Sequence, residues 1–243
     1  MTKVYLVGSD YVFPRTANKI INAYAEANGL EIVGEDYLPL GDTNVATIVS
    51  KVLDAKPDIV FNTLNGDSNV AFFKELKAKG NTPDQIQTVS VSVAEEEIGG
   101  IGVENIEGHL TAWNYYQTTD TPKNPEFVEA FKAEYGDDRK TDDPIEAGYN
   151  AVYIWAASAE KACSIAVDDI KAAAKNLALE TPEGQIQVSD WNQHISKTAR
   201  IGKVDAEGLI DEVWASDGPI KPDPCLADYA WATGLAQGEC DPK

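Results

Sequence analysis

The sequence predicts an α/β protein whose core is a parallel sheet flanked by helices, and three features predict it. Apolar, β-branched runs recur through the first half of the chain. Each breaks into a short polar turn, and each turn feeds a segment with apolar residues at helical spacing. Strands alternating with helices build βαβ units with right-handed crossovers, which make the sheet parallel. Ligands of such sheets sit beyond the C-terminal ends of the strands, so the turns there are where function is to be sought.

The opening run, Lys3 to Val7, stops at Gly8-Ser9-Asp10 and leads through Tyr11, Phe13 and Pro14 into a helix expected from about Ala17 to Asn28, with Ile20, Ile21 and Tyr24 on its apolar face. Asn28-Gly29 supplies the stop. Glu31 to Leu38 reads as a second strand. Asp42-Thr43-Asn44 is suited to cap a helix carrying Val45, Ile48, Val49 and Val52, which ends before Lys56-Pro57. Asp58 to Thr63 is a third strand, breaking at Leu64-Asn65-Gly66-Asp67 into a helix through Phe72, Phe73 and Leu76. Gln87 to Val91 is a fourth, running into Ser92-Val93-Ala94 and the acidic Glu95-Glu96-Glu97. A fifth is expected from Gly108 to Tyr116.

Helices then dominate. Pro125 to Tyr135 carries Phe127, Phe131 and Tyr135 on one face. Pro144 to Ala162 carries a stripe from Ala147 through Tyr149, Val152 and Trp155 to Ala159, broad enough to predict deep burial. A third helix, Val167 to Leu177, precedes strands at Gln185–Val188, Thr198–Val204 and Leu209–Trp214. Pro219 to Pro224 opens an extended tail.

Composition narrows the function classes. The 243 residues are 43% hydrophobic and 25% charged, an ordinary globular balance. Forty acidic against 20 basic residues give a net charge of −20, which repels a phosphate backbone and predicts no nucleic-acid partner. No run approaches the roughly 18–20 apolar residues of a membrane span. Met1-Thr2-Lys3 leads into a strand with no signal-peptide pattern, so taken literally the chain reads as cytoplasmic.

Catalytic and metal chemistry is not expected. His109 and His194 lie outside any Cys-His, HExxH or nucleophile-elbow context. Cys163, Cys225 and Cys240 lack zinc-site spacing. Cys163 reads as a core thiol; Cys225 and Cys240 bracket the tail, where an oxidising compartment would permit a bridge. Gly99-Gly100-Ile101-Gly102 lacks the ending of a phosphate loop and reads as an ordinary loop. Glu95-Glu96-Glu97 reads as a solvated helix start, because consecutive helical residues point in different directions. Binding without turnover, with no cofactor and no metal, is the expectation.

The turns after the first, third and fourth strands would bring Tyr11 and Phe13, Asn65 and Asp67, and Ser92 and Glu95 to one sheet edge. Residues such as Asn65, Asp67 and Ser92 commonly cap helices and turns. Their convergence at three adjacent strand ends points instead to a pocket with a few polar groups in an apolar wall. Two aromatic rings and one hydroxyl in the first turn suit a small, uncharged, planar ligand.

Four stretches carry a resemblance: Gly8-Ser9-Asp10-Tyr11-Val12-Phe13-Pro14-Arg15, Phe61-Asn62-Thr63-Leu64-Asn65-Gly66-Asp67, Ser90-Val91-Ser92-Val93-Ala94-Glu95-Glu96-Glu97 and Gly218-Pro219-Ile220-Lys221-Pro222-Asp223-Pro224. Through them the chain resembles the type I periplasmic solute-binding proteins, in the urea- and short-amide-binding branch of the branched-chain amino acid group, over nearly its whole length to Pro224. The resemblance implies a Rossmann-like type I periplasmic-binding-protein fold of two lobes crossed three times by the chain, closing on ligand and presenting it to the permease subunits of an ABC importer. It implies a second lobe at residues 3–116, a returning part of the first lobe at 117–195, strands crossing back at 196–216 and a tail at 217–243. Family members begin with a secretion signal and half of the first lobe, so the resemblance implies an extracytoplasmic protein represented here from its second lobe onward.

Urea offers four N–H donors and one carbonyl, so its site needs several acceptors, a donor and flat walls. The resemblance assigns Tyr11 as the aromatic hydroxyl on the ligand and Phe13 as wall, with Thr63, Asn65 and Ser92 facing the cleft. Asp67 and Glu95 complete the candidate set; a buried carboxylate is costly unless paired, and urea's N–H groups would pair it. The alternative within the resemblance is a cytoplasmic amide-sensing regulator of amidase expression.

Overall fold

A computed structural model describes residues 2–235. The chain divides into two compact units: residues 2–112, Lys203–Leu209 and residues 223–235 form unit 1, and Trp113–Gly202 with Ile210–Pro222 forms unit 2.

Unit 1 begins with β1 (Lys3–Ser9), α1 (Val12–Asn28), β2 (Glu31–Leu38), α2 (Ala46–Ala55), β3 (Ile59–Thr63) and α3 (Asp67–Ala78). It continues with β4 (Gln87–Ser90), α4 (Glu95–Ile101), α5 (Val103–Ile106) and β5 (Leu110–Trp113). The strands pair in parallel in the order β2-β1-β3-β4-β5. Leu6, Val7 and Val60 on the strands and Val49, Val52, Phe72, Phe73, Leu76 and Ile98 on the helices make its core. The α/β class with a parallel sheet flanked by helices is therefore as the sequence predicts. Because β2 lies on one side of β1 and β3 on the other, chain order reverses at β1, and the C-terminal strand ends at such a reversal are where sheets of this kind take their ligands.

Local chemistry moves several boundaries. Helix α1 starts at Val12 rather than near Ala17; Pro14 sits in its first turn, where a missing N–H is not needed. Gly99 and Gly100, read as a loop, lie inside α4, whose buried Ile98 and Ile101 hold it to the core. Strand β5 stops at Trp113 instead of Tyr116, because the N–H groups of Asn114 and Tyr115 turn to the Asp143 carboxylate, at 2.9 and 3.1 Å. The tail is not simply extended: Ala230–Ala232 forms a 3-10 turn, and Trp231 packs edge-on against Tyr24 of α1 at 5.5 Å. Cys240, and with it the possible Cys225–Cys240 pairing, lies outside the described residues.

Unit 2 comprises α6 (Asn124–Tyr135), α7 (Asp143–Ala162), α8 (Val167–Ala174), an antiparallel sheet of β6 (Ala178–Thr181), β7 (Gly184–Val188) and β8 (Ile195–Ser196), the start of β9 (Arg200–Val204), and β10 (Ile210–Ala215). Strands β6 and β8 are too short to register as periodic runs. The expected burial of the α7 apolar stripe is corrected: Val152 is 64% and Trp155 51% exposed, while the buried residues are Asp143, Glu146, Asn150 and Ser158. The polar face turns inward because it finds polar partners there. Cys163 is corrected as well. It caps α7 with φ 50°, and its thiol is exposed and free.

Candidate functional site

The candidate residues lie in unit 1, at the C-terminal ends of β1, β3 and β4. Tyr11 precedes α1 in extended conformation and is 36% exposed; Phe13 follows at 42%. Their ring centroids are 6.2 Å apart at 46°, giving a tilted aromatic wall on the rim. Gly8 is needed beneath them, since a Cβ there would lie 2.5 Å from Thr63 Oγ1 and 2.9 Å from Pro14 Cβ.

The three loop tips are stitched together. At the paired ends of β1 and β3, the Asn65 N–H donates to Ser9 Oγ at 3.1 Å. From β3 to β4, Asn69 donates its carboxamide N–H groups to the carbonyls of Leu64 (2.9 Å) and Ser92 (3.3 Å). Asn62 completes the arrangement: its Nδ2 donates to Asn69 Oδ1 (2.8 Å) and Ser90 Oγ (3.0 Å), and its Oδ1 accepts from the Leu64 N–H (2.9 Å). Gly66, at φ 59°, makes the sharp entry to α3 that an L side chain would strain. Ser68 Oγ adds a bond to the Asp42 carbonyl, drawing in the loop after β2.

Tyr11, Phe13, Asn65 and Ser92 thus stand on loops joined at one edge, with Asn65 and Ser92 half-buried. Asp67 starts α3 and is exposed. Thr63 is fully buried, and its hydroxyl donates to the Val7 carbonyl at 3.2 Å, which ties β3 to β1. Glu95, expected on a solvated helix start, is buried under the first turn of α4, while Glu97 turns back to accept from the Ala94 N–H at 2.9 Å.

Sequence reasoning missed Asn62 and Asn69, although an asparagine inside the otherwise apolar run of β3 was a signal. It also missed the groups beside the Tyr11 turn. The Arg15 guanidinium lies 4.0 Å above the Tyr37 ring and 2.7 Å from Asp10. That bond holds the Asp10 carboxyl below its usual range and raises the Arg15 guanidinium. The Tyr37 phenol, raised by burial and by its bond to Glu35, also accepts from Asn18 at 3.1 Å. The rim therefore combines neutral donors and acceptors with one arginine-carboxylate pair. Among the described residues, no group of His, Cys, Asp and Glu is arranged to hold a metal, and no helix is long and apolar enough to cross a membrane.

Comparison with known proteins bears on the chain as a whole. The periplasmic binding protein domain model matches residues 1–230. A solute-binding protein of an ABC transporter from Rhodopseudomonas palustris BisB5, solved with 3,4-dihydroxybenzoic acid, superposes with a TM-score of 0.82 at 26% identity, over 91% of this chain and 62% of that one. The Leu/Ile/Val-binding protein homolog 6 of Brucella melitensis is 25% identical over 210 residues, 83% of this chain and 53% of the relative. A protein named limonene hydroxylase, from Geobacillus stearothermophilus, is 27% identical over 128 residues, only 23% of its length. This chain thus spans little more than half of the Brucella relative and about three-fifths of the R. palustris structure.

Proposed function

Because this chain belongs to the periplasmic binding protein domain family, we propose that it is the solute-capturing, non-catalytic part of an ABC importer, that it works outside the cytoplasm, and that its ligand is urea or a short aliphatic amide. The observation that carries this reading is the pair of bonds Asn65 N–H to Ser9 Oγ and Asn69 Nδ2 to Ser92 O, which gather three strand-end loops into one rim. On that rim Tyr11 offers a hydroxyl, Asn65 a carboxamide and Phe13 a flat apolar wall. These groups match a planar, neutral ligand that both donates and accepts. Specificity in such a site comes from few directional bonds. Permease subunits of the importer are the partner that follows from the family.

A second ligand class has its own support. The R. palustris relative was solved with a dihydroxybenzoic acid, and the Arg15 guanidinium, which lies over the Tyr37 ring, could receive a carboxylate if it exchanged Asp10 for the ligand. Isothermal titration of the protein with urea, acetamide, formamide, benzoate and leucine separates the two. Saturable heat with the amides supports the reading, heat only with benzoate replaces it by the carboxylate reading, and no heat with any of the five removes both.

A further inference from the structure

Unit 2 buries a charged cluster that ligand capture does not use. Glu146 and Asn150 come from α7, Glu183 from the β6–β7 turn, Lys197 from the link between β8 and β9, and Arg200 from the start of β9. Glu146 is fully buried and Glu183 is 1% exposed. Glu146 Oε1 accepts from Asn150 Nδ2 (2.6 Å) and from the Glu183 N–H (3.1 Å). Asn150 Nδ2 also reaches Glu183 Oε1 at 3.2 Å, and Lys197 Nζ lies 2.8 Å from that same oxygen. The Oε2 atoms of both glutamates are buried without a hydrogen-bond partner.

The charges do not balance if both carboxyls ionise. Lys197 is the cation that contacts the pair. Arg200 gives one N–H to the Glu183 carbonyl at 3.0 Å, and its Nε lies 2.8 Å from Glu212 on β10. Asp143, at the start of α7, adds further negative charge, though it is already bonded to two backbone N–H groups. Tyr149, the remaining titratable group beside Glu146 on α7, is a phenol held neutral by burial. Two buried carboxylates facing one ammonium are destabilised by their mutual repulsion and by lost hydration, and a proton on one of them removes both costs.

We propose that Glu146, Asn150, Glu183 and Lys197 form a proton-operated latch: with Glu146 protonated, it clamps the β6–β7 turn and the Lys197–Arg200 segment onto α7, and loss of that proton to solvent loosens both. Backbone pairing of Lys197 with Ile220 ends the clamped segment on its other side. The direction of titration agrees with the geometry. Burial first, and Glu183 second, push the Glu146 carboxyl from its ordinary 4.5 up to about 7; Glu183 is raised by burial, and Lys197 is raised by Glu183.

The sign follows by linkage. A carboxyl whose native pKa is raised binds its proton more tightly when the latch is closed, so closure is favoured below the ordinary value and weakens as pH rises through the native one. Hydrogen exchange of the whole chain, read by mass spectrometry on peptides covering residues 182–202 and corrected for intrinsic rate, tests this. Opening should increase by about tenfold per pH unit between about pH 5 and 7 and level off above. Glu146→Gln should flatten that rise. Lys197→Met should carry it to higher pH, and serves if Glu146→Gln does not fold. A flat wild-type profile, an unaltered slope in Glu146→Gln, or a rise in Lys197→Met that levels off at the wild-type pH overturns the latch. Ligand binding in unit 1 takes no part in the measurement, so the outcome is independent of the ligand assignment.

Discussion

Asn69 binds the carbonyls of Leu64 and Ser92 with one carboxamide, at 2.9 and 3.3 Å, so a single fully buried side chain fixes the loop after β3 to the loop after β4. Asn62 holds it in place from β3. Replacing Asn69 with Ala leaves Leu64 O, Ser92 O and Asn62 Nδ2 each short of a partner in a site with little water. Leaving buried polar groups unpaired costs about 1–3 kcal/mol each, partly relieved by relaxation, so Asn69→Ala should destabilise the protein by about 2–4 kcal/mol in urea-free guanidinium denaturation. Asn69→Asp should be no better, because the carboxylate replaces the two N–H donors with acceptors.

Tyr11 and Phe13 make the opposite prediction. Both are substantially exposed and neither supports the core, so Tyr11→Phe should leave the unfolding midpoint unchanged. If the hydroxyl meets the ligand, the variant should lose about tenfold in affinity for urea or a short amide, the value of one hydrogen bond. Phe13→Leu, which keeps apolar area but loses the flat ring, should weaken binding less. Equal affinity of Tyr11→Phe and wild type by titration removes Tyr11 from the site.

How much of this was legible follows from what each signal reports. The five parallel strands and their loop ends were readable because β-branched runs ending in polar turns encode both the strand and its exit. The apolar stripe of α7 was equally readable, yet it was assigned to the wrong side: amphipathicity reports that two faces differ, not which is buried. Glu146 and Asn150 turn inward only because Glu183 and Lys197, far along the chain, meet them there, and no local pattern encodes that meeting. Asn62 and Asn69 escaped for a related reason. Asn62 stands out as a polar residue in an apolar run, but its partners, Asn69, Ser90 Oγ and the Leu64 N–H, and those of Asn69, the Leu64 and Ser92 carbonyls, are brought to it by the fold and not by any local pattern.

Gly8 tests the packing under the rim. An added Cβ would fall 2.5 Å from Thr63 Oγ1 and 2.9 Å from Pro14 Cβ, so Thr63 must rotate and α1 must shift. Overpacking of this kind costs about 1–3 kcal/mol, and rotating Thr63 also breaks its bond to Val7. Gly8→Ala should lower the unfolding midpoint, and Thr63→Ala in the same chain should recover only part of the loss, because the Pro14 contact remains. Full recovery in the double variant would mean that Thr63 alone bears the crowding.

His109 gives unit 1 a pH dependence opposite to that of the unit 2 latch. Its ring is buried, its Nδ1 accepts from the Thr88 N–H at 3.1 Å, and burial, with Lys77 nearby, lowers it from 6.5 to about 4. A histidine lowered in the native state is protonated first in the unfolded chain, so native stability is lost as pH falls from about 6.5 towards 4, by up to about 3 kcal/mol. Glu146 acts in the reverse sense, losing stability as pH rises towards about 7. Exchange measured peptide by peptide should therefore slope in opposite directions: strands β4 and β5 open more readily as pH falls below about 6.5, and residues 182–202 as it rises towards 7. His109→Asn, which retains an acceptor for Thr88 without a titrating ring, should remove the first slope and leave the second. Loss of both slopes in that variant would show that one global unfolding event, not two separate groups, sets the pH response.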